Sequence, residues 1–227
     1  MKNIVVLTGA GMSAESGLNT FRDANGLWEG HDVMEVASPE GWYQNQELVL
    51  DFYNKRRRQL LEAKPNRAHE MLAELESRFK VDIITQNVDD LHERAGSSSV
   101  LHLHGELLKV RSTKNEQLVY RWEKDLHTGD LCQLGSQLRP HIVWFGEAVP
   151  MLNRAVDITA GADVLLIIGT SLQVYPAASL IHYSRSQTPV YLIDPKPTIT
   201  SKDFRNLNII SEKAVKGMEK FLELIGF

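Results

Sequence analysis

Two histidines alternate with leucines in Leu101-His102-Leu103-His104-Gly105, and strand periodicity puts both imidazoles on one face. Imidazole titrates near neutrality, so a histidine at the carboxyl end of a strand can take a proton from a hydroxyl, which makes His104 a candidate general base. The pair can also be read as metal ligands. Two imidazoles without a third ligand make a poor zinc site, however, and a hydrogen-bonded core histidine is the commoner fate of either. Upstream, Thr85-Gln86-Asn87-Val88-Asp89-Asp90 closes another apolar run with amides and carboxylates. An Asn and an Asp in that place can bond a carboxamide and orient a water or a sugar, or they can cap a following helix.

Such groups need a ligand beside them, and the first thirty residues offer a place for one. The run Ile4 to Leu7 breaks into Gly9-Ala10-Gly11-Met12-Ser13-Ala14, the order of a strand, a glycine turn and a helix start. Backbone N–H groups and the positive end of a helix can there approach a pyrophosphate. An ordinary tight turn of an α/β domain has the same spelling. Dehydrogenases of this pattern carry an acid for the ribose about 20 residues on, after a second strand. Here Glu15, Asp23 and Glu29 lie in a polar stretch with no such strand before it. A dinucleotide site with a long loop is predicted, without hydride transfer. Ile168-Gly169-Thr170-Ser171 and Ile193-Asp194-Pro195-Lys196 end two later apolar runs, the first suited to phosphate and the second to ribose, or each to a capped turn. Small and polar residues recurring on one predicted sheet edge favour a common site.

The elements that must position these residues alternate along the chain. Strands are predicted at Ile4 to Thr8, Val81 to Thr85, Val100 to Leu103, Ile142 to Phe145, Val164 to Ile168, Val190 to Ile193 and, more weakly, Leu207 to Ile210. Amphipathic stretches lie at Gln46 to Ala63, Asn66 to Ser77, Leu152 to Ala160, Ala177 to Ser186 and Glu212 to Leu224. Short strands apolar on both faces, alternating with helices, predict an α/β fold: a Rossmann-like, doubly wound parallel sheet. From about 107 to 140 the chain turns polar around a few aromatics, and a small inserted lobe is expected there. The 227 residues suit one catalytic domain with such an insertion. A formal charge of -4 argues against a nucleic-acid partner, and no apolar run nears the roughly 18 residues of a membrane span. One cysteine, Cys132, allows no intrachain disulfide and fits a cytoplasmic setting.

Together these blocks resemble the sirtuins, the NAD-dependent protein lysine deacylases. The matching segments are Gly9 to Gly17, Phe21-Arg22-Asp23, Gly26-Leu27-Trp28, Thr85 to Asp89, His104-Gly105, Arg139-Pro140, Val143-Trp144-Phe145-Gly146-Glu147 and Gly169-Thr170-Ser171. They span nearly the whole chain in the family's order. The resemblance implies that Gly9, Ala10, Gly11, Ser13 and Ala14 hold the pyrophosphate region, while Phe21, Arg22 and Trp28 belong to the NAD site and its closing loop. It places Gln86, Asn87, Val88 and Asp89 around the nicotinamide and its ribose, and it makes His104 the base. Gly169, Thr170 and Ser171 would line the adenosine side, Asp194 and Lys196 the ribose, and Lys213 and Ala214 the adenine. Sirtuins usually have Asn where Asp194 stands. Val143 to Glu147 would pair as a strand with the acylated peptide. The partners implied are acylated-lysine proteins, and NAD is consumed as a co-substrate. Mono-ADP-ribosyl transfer and a non-catalytic NAD or ADP-ribose sensor are the alternative readings.

Two features concern the subclass. Tyr53 and Arg56, three apart on one predicted helical face, resemble the pair of bacterial sirtuins that remove succinyl and malonyl groups, a guanidinium and a phenol being suited to a carboxylate. A basic solvated face is the alternative, since Arg56, Arg57 and Arg58 are consecutive, and the acyl-selective reading is favoured over it. The family's small lobe usually carries two cysteine pairs on zinc, whereas this segment offers Ser112 and Cys132. No zinc is expected, and Tyr120, Trp122, Leu131 and Leu134 are expected to pack the lobe instead.

Overall fold

A computed structural model of the protein describes residues 1–19, 27–28, 30–200, 204 and 206–227. The chain runs through β1 (Asn3–Thr8), β2 (Leu27–Trp28), β3 (His31–Asp32), α1 (Val33–Val36), α2 (Pro39–Gln44), α3 (Gln46–Glu62), α4 (Arg67–Leu75), β4 (Lys80–Thr85), α5 (Leu91–Arg94) and β5 (Val100–His102). It continues with β6 (Gly105–Ser112), β7 (Val119–Arg121), β8 (Leu138–Ile142), α6 (Leu152–Ala160), β9 (Val164–Ile168), β10 (Val190–Ile193), β11 (Leu207–Ile210) and α7 (Ala214–Ile225). Six strands form a parallel sheet in the order β11-β10-β9-β1-β4-β5. From β1 the chain builds outward through β4 and β5, then returns to β9 on the other side. The order of strand addition therefore reverses between β1 and β9, where open α/β sheets leave a crevice at their carboxyl ends.

The β1 sequence explains why it is central. Ile4 and Val6 enter one core with Leu72, Met218 and Phe221, while Val5 and Leu7 enter another with Ala155, Leu180 and Ile181. A strand apolar on both faces can rest only between two helical layers. The helix starts are read by side chains: Ser38 and Asn45 accept the Gly41 and Leu48 N–H groups, and Asn66 with His69 forms a reciprocal cap on α4. Among the described residues no helix is long and apolar enough to cross a membrane.

A second, antiparallel sheet, β7-β6-β8, forms the inserted lobe. It shares a core with α3, in which Phe52, Tyr53 and Leu60 meet Leu107, Val110, Leu126, Leu138 and Trp144. The expected packing needs correction here. Tyr120 and Trp122 do lie against this core, but Leu131 and Leu134 are exposed, and Leu126, Val110, Leu138 and Cys132 fill the interior. Cys132 places its thiol 3.4 Å from the Ser112 hydroxyl. Two element expectations also change. The run Ile142 to Phe145 is not a strand of the main sheet: Ile142 ends β8 opposite Gly105, and the Glu147 carboxylate then takes the Trp144 N–H at 2.8 Å and folds the chain into a turn. Ala177–Tyr183 is a 3-10 helix whose start no side chain caps.

Candidate active site

The carboxyl rim of the main sheet opens into a cleft of about 500 Å³, within the range that encloses cofactor-sized ligands. One wall is backbone packed on backbone. Gly9 donates to Ile168 O at 3.0 Å and Gly11 to Gly169 O at 2.9 Å, stitching the loops after β1 and β9 together. A Cβ on Gly11 would stand 2.7 Å from Gly169 Cα, and one on Gly169 would stand 2.4 Å from Met12 N. Gly169 also has φ +62°, in the left-handed region. The expected helix start is two 3-10 turns, Ala10–Met12 and Ala14–Ser16, and the Gly9, Gly11, Met12 and Ser13 N–H groups are committed to carbonyls of the protein. The glycines thus serve close loop packing, not an α-helix dipole. Glu15 accepts the Val215 N–H at 3.0 Å and draws α7, with Lys213 and Ala214, onto the same wall.

The floor is polar and tightly paired. Ser13 Oγ donates to Asp89 Oδ2 at 2.9 Å and accepts from Asn87 Nδ2 at 3.1 Å, joining the loops after β1 and β4. Asp89 also takes the Leu91 N–H at 3.2 Å, so its capping role is real alongside its place in the cleft. Burial pushes the Asp89 pKa up, against the pull of the Ser13 and Leu91 bonds. Gln86 donates to Thr170 Oγ1 at 3.1 Å. Asp194 accepts the Lys196 N–H at 2.8 Å in a turn whose residues line the cleft.

The two histidines hold consecutive carbonyls of the loop after β4. His104 Nδ1 lies 3.0 Å from Gln86 O, and His102 Nδ1 lies 3.2 Å from Asn87 O. A carbonyl can only accept, so each Nδ1 carries the proton. His104 therefore presents Nε2 as its acceptor, and this residue lines the cleft. Burial lowers its pKa, opposed by the Gln86 bond, and the ring stays neutral at pH 7. His102 differs. Burial lowers its pKa, but Glu93 at 2.7 Å more than offsets this and raises it overall. Among the described residues no group of three or more His, Cys, Asp and Glu can hold a metal ion, so the metal reading of this pair has no third ligand.

The opposite wall is made of side chains. Tyr53 and Arg56, on α3, both face the cleft with Trp28 and Trp144. The Arg56 guanidinium lies 4.3 Å from the Trp28 ring centre, so Trp28, grouped with the nucleotide residues by sequence, sits on this side. Trp144 Nε1 donates to the Tyr53 hydroxyl at 3.0 Å. Burial pushes the Tyr53 pKa well above the usual phenol value, although the Trp144 bond opposes it. Arg57 and Arg58 do not join them. Arg57 is buried against Asn54 and Leu107 O, and Arg58 pairs with Asp125. Glu147 pairs with Arg139 at 2.6 Å and Arg111 at 3.2 Å, which holds the 143–147 turn. Within it the Val143 and Phe145 N–H groups already donate to His104 O and Ala37 O.

Of the catalytic, cofactor and substrate residues that the resemblance implies, all those described line this cleft, including Ala10, Ala14, Val88, Gly146 and Ser171, whereas His102 is not among the lining residues. Phe21 and Arg22 lie outside the described residues. Sequence reasoning missed Glu15 as a wall residue and the rim segment Val174 to Pro176. Their signal was position: the first follows the glycine turn, the second the Gly169 strand end.

An open parallel sheet with a cleft of this construction at its switch point defines a nucleotide-binding α/β protein. The Sir2 family model matches residues 9–176. A Helicobacter pylori NAD-dependent protein deacylase is 63% identical over 222 residues, covering 98% of this chain and 96% of that protein. A Bacteroides thetaiotaomicron protein of the same description is 55% identical over 231 residues, covering 99% and 98%. The crystal structure of a Sir2 homologue–NAD complex is similar, with TM-score 0.87 and 39% identity over 99% of this chain and 90% of that one. A Sir2 structure bound to acetylated peptide gives TM-score 0.81 and 30% identity over 98% and 93%. The chain belongs to the Sir2 family, the sirtuins.

Proposed function

We propose that this protein is an NAD-dependent protein lysine deacylase that prefers acyl groups ending in a carboxylate, and that it acts in the cytoplasm, where its single cysteine suits reducing conditions. The observation that carries the reading is one cleft in which the backbone-built wall, His104 and the Tyr53–Arg56 pair stand together. The fit to a dinucleotide rests on the cleft of about 500 Å³ at the sheet's switch point and on the polar groups of Ser13, Gln86, Asn87, Asp89, Thr170 and Asp194 that line it.

NAD, when bound, would supply an electrophilic ribose carbon, to which the acyl carbonyl oxygen bonds as nicotinamide departs, and a ribose hydroxyl that takes the acyl group, with water completing release of the free lysine. The chain's own residues do the rest. Ser13, Asn87 and Asp89 fix one another, so their dipoles and charge are already oriented before positive charge develops nearby. His104, with its proton on Nδ1, accepts a ribose hydroxyl proton at Nε2. The Gly146 N–H and the Val143 carbonyl are the groups of the 143–147 turn offered to the peptide main chain, since the Val143 and Phe145 N–H groups donate elsewhere and Trp144 O accepts the Glu147 N–H. Tyr53 and Arg56 receive the acyl end, the guanidinium offering forked donors to a carboxylate and the phenol a further one. Acylated-lysine proteins are the partners this implies.

Mass spectrometry of the purified protein with NAD and succinyl-lysine or acetyl-lysine peptides tests the proposal. Free lysine peptide, nicotinamide and O-acyl-ADP-ribose are expected, with the higher kcat/KM for succinyl. Transfer of ADP-ribose to an acceptor protein, or no turnover, would overturn it. Equal kcat/KM for the two peptides would remove the acyl preference alone.

A further inference from the structure

We propose that Trp144 is a positioning residue for acyl recognition, fixing the Tyr53 hydroxyl so that its proton is donated into the cleft toward an anionic acyl end. The inference rests on the acidic-acyl preference above. An indole N–H can only donate, so across the 3.0 Å contact the Tyr53 oxygen accepts. A phenolic O–H lies near the plane of its ring and has two sides to choose from. With the indole hydrogen on one side, the hydroxyl hydrogen is driven to the other.

Tyr53 is fully buried, and among the described residues no acceptor takes its O–H. A buried donor without an acceptor is costly, and whatever enters the cleft beside it is selected for the ability to accept. The methyl end of an acetyl group cannot; the carboxylate of a succinyl or malonyl group can. The high pKa of the phenol keeps it a donor across the neutral range.

The indole is itself held from three directions. Its backbone N–H bonds Glu147 at 2.8 Å, the Arg139 guanidinium lies 3.3 Å from its ring centre, and the Trp42 ring packs 5.6 Å away. The Arg139–Glu147 ion pair thus aims Trp144, and Trp144 aims Tyr53. A phenylalanine at 144 would keep the packing and the cation–π contact while releasing the hydroxyl to turn either way.

The test is a double-mutant cycle on succinyl-lysine and acetyl-lysine peptides with wild type, Trp144→Phe, Tyr53→Phe and the double variant. Trp144→Phe is expected to lower the succinyl-to-acetyl ratio of kcat/KM by roughly five- to tenfold, mostly through a higher KM for the succinyl peptide. The double variant should fall no further than Tyr53→Phe. A wild-type preference that Trp144→Phe leaves intact, or losses that simply multiply in the double variant, would overturn the inference while leaving the acyl preference standing. Equal wild-type values for the two peptides would remove both.

Discussion

The two walls of the cleft are built on opposite principles. The nucleotide wall is defined by missing side chains: Gly9, Gly11 and Gly169 let two loops touch at main-chain distance. The acyl wall is defined by large ones, Tyr53, Trp28 and Trp144, held by indole, phenol and guanidinium contacts. Backbone packing leaves no room for variation, because any added atom meets another loop. Side-chain packing can be re-cut by substitution without moving the sheet. On the function proposed above, that division would leave the reaction to the first wall and the acyl preference to the second.

The harshest break of the comparison is Gly169→Ala. The added Cβ would stand 2.4 Å from Met12 N at a residue with φ +62°. Backbone cannot yield as a flexible side chain does, so a loss above about 4 kcal/mol is expected, seen as failure to accumulate folded protein in a denaturant titration. An ordinary melt for this variant would show the wall to be looser than its contacts state. Next comes His104→Ala between the walls. Loss of a positioned base predicts a fall in kcat of about 10² to 10⁴, with NAD affinity by calorimetry retained. Near wild-type kcat would remove its role. In the wild type, the lowered His104 pKa places the acid limb of kcat/KM below pH 6.5.

Acid also separates the walls. His69 is buried behind the glycine turn, accepts the Asn66 N–H on Nδ1, and is lowered by burial to about 4 from the ordinary 6.5. Asn66 in turn donates to Met12 O at 2.9 Å. Between those two values the unfolded chain binds a proton that the native chain does not. Stability therefore falls as pH drops from 6.5 to 4, by roughly 3 kcal/mol from His69 alone, and His92, whose ring packs 4.9 Å away and which burial also holds well below 6.5, adds to the fall. Glu147 on the acyl wall is desolvated, but Arg139 and the Trp144 N–H hold its pKa below 4.5, so its contribution is lost only at lower pH. Urea titrations at a series of pH values should show the slope, and His69→Gln should reduce it, leaving the part that His92 contributes. A stability profile level down to pH 5 would contradict this account.

Much of the nucleotide wall was legible in the sequence because its signals are local. A strand apolar on both faces followed by Gly-Ala-Gly, or by Gly169-Thr170-Ser171, announces a strand end that must approach something closely. What glycine does there was not legible: its partner is another glycine more than a hundred positions away, supplied by the β1–β9 pairing. The Ser13, Asn87 and Asp89 network was hidden for the same reason. In the lobe, strands as short as Val119–Arg121 carry too few alternations to show which leucines point inward, hence the exposure of Leu131 and Leu134. The run Ile142 to Phe145 has the composition of a buried strand, but Glu147, two residues beyond it, bends the chain.

The mildest intervention sharpens the comparison most. On sequence alone Arg56 belongs to three consecutive arginines, for which a solvated face is the alternative to the favoured acyl-selective reading. The structure distributes them: Arg57 inward to Leu107 O, Arg58 outward to Asp125, Arg56 into the cleft beneath Trp28. Only the last can meet an acyl group. Arg56→Met keeps the length of the side chain and its contact with the aromatic ring but removes the charge and the forked donors. A hydrogen bond to a charged group is worth about 1.5 to 3 kcal/mol, so kcat/KM for a succinyl-lysine peptide should fall about tenfold or more. The acetyl-lysine value should stay within a factor of about two, because an acetyl group has no carboxylate for the guanidinium to hold. Equal losses for both peptides would mean that Arg56 supports the wall and does not read the acyl group. The acyl selectivity proposed for this wall would then have to rest on Tyr53 alone.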